Sequence, residues 1–154
     1  MPKPCIIVDT REKAPFAFDH EHVDVVSGTL STGDYSLFGH EDEVAIERKS
    51  LDDLVGTLTH GRERFECELE RMRSYVLRAV IIEGSWQDLA DHHYVSLAHP
   101  SSIFGSVCCS HVDYLVPFLF CETRAIAGRV TERLIRRYAE NLERNAEAAK
   151  EPAA

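Results

Sequence analysis

Glu47, Arg48 and Lys49 stand together at the end of the apolar segment EVAIERK, and Asp34 follows a glycine in GDYSL a short turn earlier. Two carboxylates brought face to face repel, and each raises the other's proton affinity unless a cation sits between them. With oxygen donors alone, Mg²⁺ is the natural ion, and Mn²⁺ its substitute. A lysine ammonium beside such an ion supplies a second, fixed positive charge.

A hairpin is what would bring these groups together. DYSLF and EVAIERK flank residues 39–42, a length suited to a hairpin connection. Pairing Phe38 with Glu43 makes the paired numbers sum to 81 and sets Asp34 directly opposite Glu47. Side chains alternate along a strand, so Lys49 shares the face of Glu47 while Ile46 and Arg48 share the other. A slip of one residue would undo the arrangement.

Around this hairpin the chain alternates strands and helices. CIIVD (5–9), VDVVSGT (23–29) and AVIIEG (79–84) read as strands, and YLVPFLFC as another whose Pro117 marks an edge or a bulge. Leu51, Leu54, Val55 and Leu58 fall at helical spacing, as do Phe65, Leu69, Met72 and Val76. SWQDLAD reads as a short helix. A longer helix starts near Pro100 with Ile103, Phe104, Val107 and Cys108 facing inward and His111 continuing the stripe, and a last helix runs from about 122 to 147. The order predicts an α/β fold with a mixed central sheet flanked by helices, as one domain over residues 1–148 with 149–154 as a frayed tail.

Composition narrows the classes. The 154 residues suffice for one domain with a full core. No stretch of eighteen apolar residues occurs and the start lacks a cleavage signal, so the expectation is a cytoplasmic protein without a membrane span. Five cysteines show no C-x-x-C pair, and they read as reduced, mostly buried thiols. The formal charge of −9 argues against tight unaided binding to nucleic acid, yet it suits a metal site built from acids. In the segment from Arg62 to Arg73, arginines interleave with Glu63, Glu66, Glu68 and Glu70, the pattern of a solvated, salt-laced helix face.

Taken together, VDTRE (8–12), GDYSL (33–37), AIERKSLDDL (45–54) and HGRERFECE (60–68) resemble the nuclease domain of structure-selective endonucleases of the xeroderma pigmentosum group F type, a branch of the PD-(D/E)XK nuclease superfamily. The likeness extends over roughly residues 5–142. It implies a restriction-endonuclease-like fold and Mg²⁺-dependent hydrolysis of DNA phosphodiesters at flaps, forks or branched joints in repair or recombination. On that resemblance Asp34 and Glu47 are the main metal ligands, with Asp9 and Asp53 completing or flanking the site. Lys49 orients and activates water or stabilises the scissile phosphate. Arg48 supports the phosphate or braces the carboxylates, and Glu12, Arg11 and Arg62 form a second tier, with the two arginines toward DNA. Asp53 has another reading, because SLDD is equally a helix-capping pattern.

Within these 154 residues there is no room for the tandem helix-hairpin-helix module that many relatives carry, so modest, salt-sensitive DNA affinity and a homodimer or separate targeting partner are expected. Two other functions fit the same residues: a non-catalytic scaffold or dimerisation module, and a sequence-specific restriction-type endonuclease.

Overall fold

The computed structural model describes residues 2–150. Its elements, in order, are β1 (Cys5–Asp9), β2 (Asp24–Gly28), β3 (Tyr35–Leu37), β4 (Val44–Ser50), α1 (Leu51–Thr59), α2 (Arg62–Met72), β5 (Leu77–Glu83), α3 (Trp86–Ala90), α4 (Pro100–Tyr114), β6 (Phe118–Phe120) and α5 (Arg124–Ala148). The six strands form one sheet in the order β2-β1-β3-β4-β5-β6. Its centre is antiparallel, β1 on β3 and β3 on β4, while β2 and the pair β5 and β6 add in parallel. The fold is the expected mixed sheet with helices on both faces.

The two faces bury separate apolar clusters. Beneath α1, α2 and α4 lie Leu54, Phe65, Leu69, Met72, Val80, Ile82 and Ile103, all nearly inaccessible. On the other face α5 packs Ala127 and Ile135 against Ile6, Tyr35, Ile46 and Ile81, with Phe16 and Phe18 of the loop after β1 closing the edge. The central strands β4 and β5 are covered on both sides, which is why their apolar runs are almost continuous. Each fully buried aliphatic side chain contributes about 1.5–3 kcal/mol, so these two layers hold β4 rigid from both sides.

The hairpin register agrees with expectation at one end and departs from it at the other. Tyr35 pairs with Ile46, whose numbers sum to 81. Phe38 and Glu43, however, do not pair: the Phe38 N–H donates to Cys5 O and the Glu43 N–H to His40 O. β3 lies between two strands, and β1 takes the donor that the hairpin would have used.

Other helix phases shift in the same way. The inward stripe of α4 is Ile103, Val107 and Ser110, so Cys108, Cys109 and His111 are exposed rather than packed. Cys67 is also exposed, leaving Cys121 as the one buried thiol among the five. α2 ends at Met72, which leaves Val76 outside the stripe and 66% exposed. Among the described residues no helix is long and apolar enough to cross a membrane.

Candidate active site

β4 carries Glu47, Arg48 and Lys49 along its open end, and alternation sorts them. Glu47 and Lys49 project to the α1–α2 face, where Lys49 Nζ lies 3.3 Å from Glu47 Oε1 and 5.0 Å from the Phe65 ring centroid. Arg48 projects to the α5 face, with Nε 2.5 Å from Glu83 Oε1 and Nη1 3.4 Å from Glu12 Oε1.

Asp34 reaches the same strand by a different route from the simple facing pair. Its N–H donates to Ile46 O at 2.8 Å, and its Oδ2 accepts the Arg48 N–H at 2.8 Å. The side chain therefore replaces a main-chain acceptor at the end of the ladder, and Asp34 straddles Glu47. Gly33 makes this approach possible. It sits at φ +80°, and a Cβ there would lie 3.1 Å from both the N and O of Ile46.

Asp9 and Arg11 hold the segment that delivers Asp34. Asp9 Oδ1 accepts the Arg11 N–H and Nε–H, at 2.9 and 2.8 Å, and Oδ2 accepts Arg11 Nη2 at 3.1 Å and the Leu30 N–H at 2.7 Å. All four acceptor positions of the carboxylate are in use. The hydrogen bonds from Arg11 hold Asp9 down at about 2, well below an ordinary aspartate. Arg11 Nη2 also donates to Leu30 O at 2.6 Å. Farther along, Ser31 meets the Tyr75 hydroxyl and Thr32 the Arg71 guanidinium. Asp9 thus ties Arg11 and Leu30 together, with its carboxylate fully engaged by them.

The cleft in front of β4 has a volume of about 930 Å³ and is lined by Glu47, Lys49, Asp53, Arg64, Phe65 and Glu68 among others. Asp53 belongs to the expected helix cap and also borders the cleft. Its N–H donates to the Ser50 cap at 3.1 Å while its exposed carboxylate faces the cleft. Glu12 turns away from the cleft to pair with Arg48 and accept the Ala14 N–H. Arg62 also turns away, to Ser106 Oγ at 2.5 Å and Leu58 O at 3.2 Å, so on α2 it is Arg64 that borders the cleft.

Glu68 was not expected here. Burial pushes the Glu47 carboxyl well above its ordinary value, and Asp34 and Glu68 push it further against the opposing pull of Lys49. Burial likewise raises Asp34 to about 6, opposed by the Arg48 N–H and reinforced by Glu12 and Glu68. A signal for Glu68 was present: it lies three after Phe65 and four before Met72, on the inward stripe of α2. An acid on that stripe departs from the salt-laced pattern of its neighbours.

This donor set fits a hard divalent ion. Among the described residues no three His, Cys, Asp or Glu side chains already close into a cage. Mg²⁺ does not require one, since it is commonly held by one or two carboxylates with waters and phosphate oxygens completing its shell. Asp34 and Glu47 would supply those carboxylates, and burial makes both reluctant to carry charge without a cation beside them.

Comparison with known proteins bears on the fold and the family. DNA repair endonuclease XPF of Cricetulus griseus is 37% identical over 84 residues, 53% of this chain and 9% of that protein. The Drosophila melanogaster XPF is 34% identical over 83 residues, 52% and 8% respectively. DNA repair protein rad16 of Schizosaccharomyces pombe is 36% identical over 69 residues, 43% and 8%. The chain therefore spans less than a tenth of the length of these relatives. A structure of XPF from Aeropyrum pernix in complex with DNA superposes with a TM-score of 0.72 at 23% identity, covering 90% of this chain and 66% of that one. Another structure of XPF from that organism gives 0.70 at 24% identity, covering 88% and 61%. Those two likenesses establish the shared fold. The ERCC4 domain matches residues 8–134, so the chain belongs to the ERCC4 domain family, as an XPF-type nuclease domain.

Proposed function

We propose that this chain is a Mg²⁺-dependent DNA endonuclease that hydrolyses phosphodiester bonds at flaps, forks or branched duplexes. The observation that carries the reading is the convergence of Asp34, Glu47 and Lys49 at one end of β4, with Lys49 Nζ 3.3 Å from Glu47 Oε1. Bound divalent metal would lower the pKa of a coordinated water and polarise the phosphoryl oxygen. Asp34 and Glu47 would hold that ion, Asp53 and Glu68 would border it, and Lys49 would meet the charge developing on the scissile phosphate. The exposed Arg11 guanidinium and Arg64 would meet flanking phosphates. Water adds to phosphorus and one ester oxygen departs, leaving a phosphate monoester on one product and a hydroxyl on the other.

Pairing with a second subunit has a surface to use. Along the outer side of α4, Cys108 runs to Val112, which is 68% exposed, beside Leu115 at 54% and Trp86 at 41%. Purified protein with Mg²⁺ or Mn²⁺ is tested on a panel of flap, fork, nicked and linear DNAs. Asp34→Ala and Glu47→Ala are expected to lower cleavage by at least about 100-fold. Cleavage that persists unchanged in either variant overturns the assignment, and cutting of linear duplex at a fixed sequence replaces branch selectivity with a restriction-type activity.

A further inference from the structure

Behind the strand that carries Glu47 and Lys49, two guanidiniums share one carboxylate oxygen. Glu83 Oε1, at the end of β5, accepts Arg48 Nε at 2.5 Å and Arg124 Nη1 at 2.9 Å. Arg124 opens α5, and its Nη2 also donates to the carbonyls of Ala14 and Pro15, at 2.5 and 2.8 Å. The Phe16 ring has Arg124 Cζ 5.2 Å and Arg48 Cζ 5.8 Å from its centroid. Phe16 in turn stacks on Tyr35 at 5.2 Å and donates its N–H to the Tyr35 hydroxyl. Tyr35 follows Asp34 in the chain and pairs with Ile46 of β4. One side chain from α5 is therefore linked, through a single neighbour each, to β4, which bears Glu47, and to Tyr35, which follows Asp34.

Helix chemistry does not account for an arginine at this position. A cation at a helix N-terminus opposes the helix dipole at a cost of about 0.3–1 kcal/mol, and α5 has no acid in its first turn to offset it. Charge balance does account for it. Arg48 faces two carboxylates, Glu12 and Glu83. Arg124 makes the cluster two against two, and without it a net negative charge would lie directly behind Asp34 and Glu47.

We propose that Arg124 is a positioning residue for the cleft. By holding Glu83 and the Ala14 and Pro15 carbonyls it fixes the Arg48 side chain, and with it the Arg48 N–H that donates to Asp34 Oδ2. The inference deepens the endonuclease reading and rests on it for its kinetic part.

Arg124→Gln, Arg124→Lys, Glu83→Gln and the Gln/Gln double variant are compared with the wild type by steady-state cleavage, and in metal-free protein by the Arg48 amide resonance. Displacing a catalytic group by an ångström costs on the order of 100-fold, so Arg124→Gln is expected to lower kcat about 10- to 100-fold with KM within about twofold. Its Arg48 amide resonance shifts. Arg124→Lys, which keeps the ion pair but loses the carbonyl contacts, recovers part of both. The double variant is no worse than the poorer single one, because both act through Arg48. A raised KM with kcat intact makes Arg124 a DNA contact and overturns the proposal, as does an unmoved Arg48 resonance. Should Arg124→Gln fail to fold, Arg124→Lys and Glu83→Gln carry the same comparison. If wild-type protein cuts none of the DNAs, the endonuclease reading fails on its own, and the Arg48 resonance still decides this one.

Discussion

Replacing Asp34 by asparagine should make the metal-free protein more stable. Burial raises the Asp34 carboxyl from 3.8 to about 6 in the folded chain, so folding at neutral pH must either take up a proton or hold a disfavoured charge. At 1.36 kcal/mol per pH unit that penalty comes to about 2–3 kcal/mol. A carboxyl raised in this sense contributes its full stability below about pH 4 and loses it as pH rises through about 6. Asparagine never carries the charge and can still accept the Arg48 N–H. The variant's advantage is therefore absent at pH 4, grows between pH 4 and 6, and is complete above about pH 7. For a chain of this size it amounts to roughly 5–10 °C in Tm.

Divalent metal should close this gap. An ion that binds only the folded form at 100 times its Kd adds about 2.7 kcal/mol, and the wild type gains this while Asp34→Asn does not. Thermal melts of both proteins at pH 4, 6 and 7.5, in chelator and in Mn²⁺, give six pairs of values. A variant no more stable than the wild type in chelator at pH 7.5 would refute the electrostatic argument. An equal gap at pH 4 would trace the effect to packing. A wild type indifferent to Mn²⁺ would remove the metal site itself.

Two further substitutions test the supports of the site. Gly33→Ala places a Cβ 3.1 Å from the Ile46 backbone at a φ of +80°, and the combined strain should cost about 2–3 kcal/mol in urea unfolding and weaken Mn²⁺ binding; a neutral result would mean that the segment relaxes freely. Asp9→Asn removes the charge from the fork on Arg11 and Leu30, and should cost about 1–2 kcal/mol at neutral pH with Mn²⁺ affinity nearly intact. Because Asp9 is held down at about 2, the wild type's advantage should persist above pH 4 and fade as pH falls to 2. Lost Mn²⁺ affinity with unchanged stability would instead make Asp9 a ligand.

The elements that position the site were readable where one local rule acted alone. Residues 39–42 set the hairpin, so the pairing of Tyr35 with Ile46 and the sorting of Glu47, Arg48 and Lys49 followed from strand alternation. The rule failed at Phe38, where β1 competes for the same N–H, and a sequence does not show which neighbour wins. α4 was misphased in part because apolar residues occupy both its faces: Ile103 and Val107 point inward and Phe104 packs against the same core, while Cys108 and Val112 lie along the outside. The residue type of Asp9 does not reveal that Arg11, two residues on, folds back over it. Glu68 was overlooked because its neighbours alternate in charge, although its helical position placed it inward.

These misreadings share a physical origin that bears on how the cleft works. The acids at its centre destabilise the folded state, so the surrounding chain must hold them there at a net cost. The supports are themselves departures from local preference: a glycine in the left-handed region at 33, a fully saturated buried carboxylate at 9, and an arginine opening a helix at 124. Gly33 lies against the Ile46 backbone, Asp9 accepts the Leu30 N–H, and Arg124 reaches β4 only through Glu83 and Arg48. Positions where local rules and tertiary structure disagree are therefore where the chemistry of this chain is maintained.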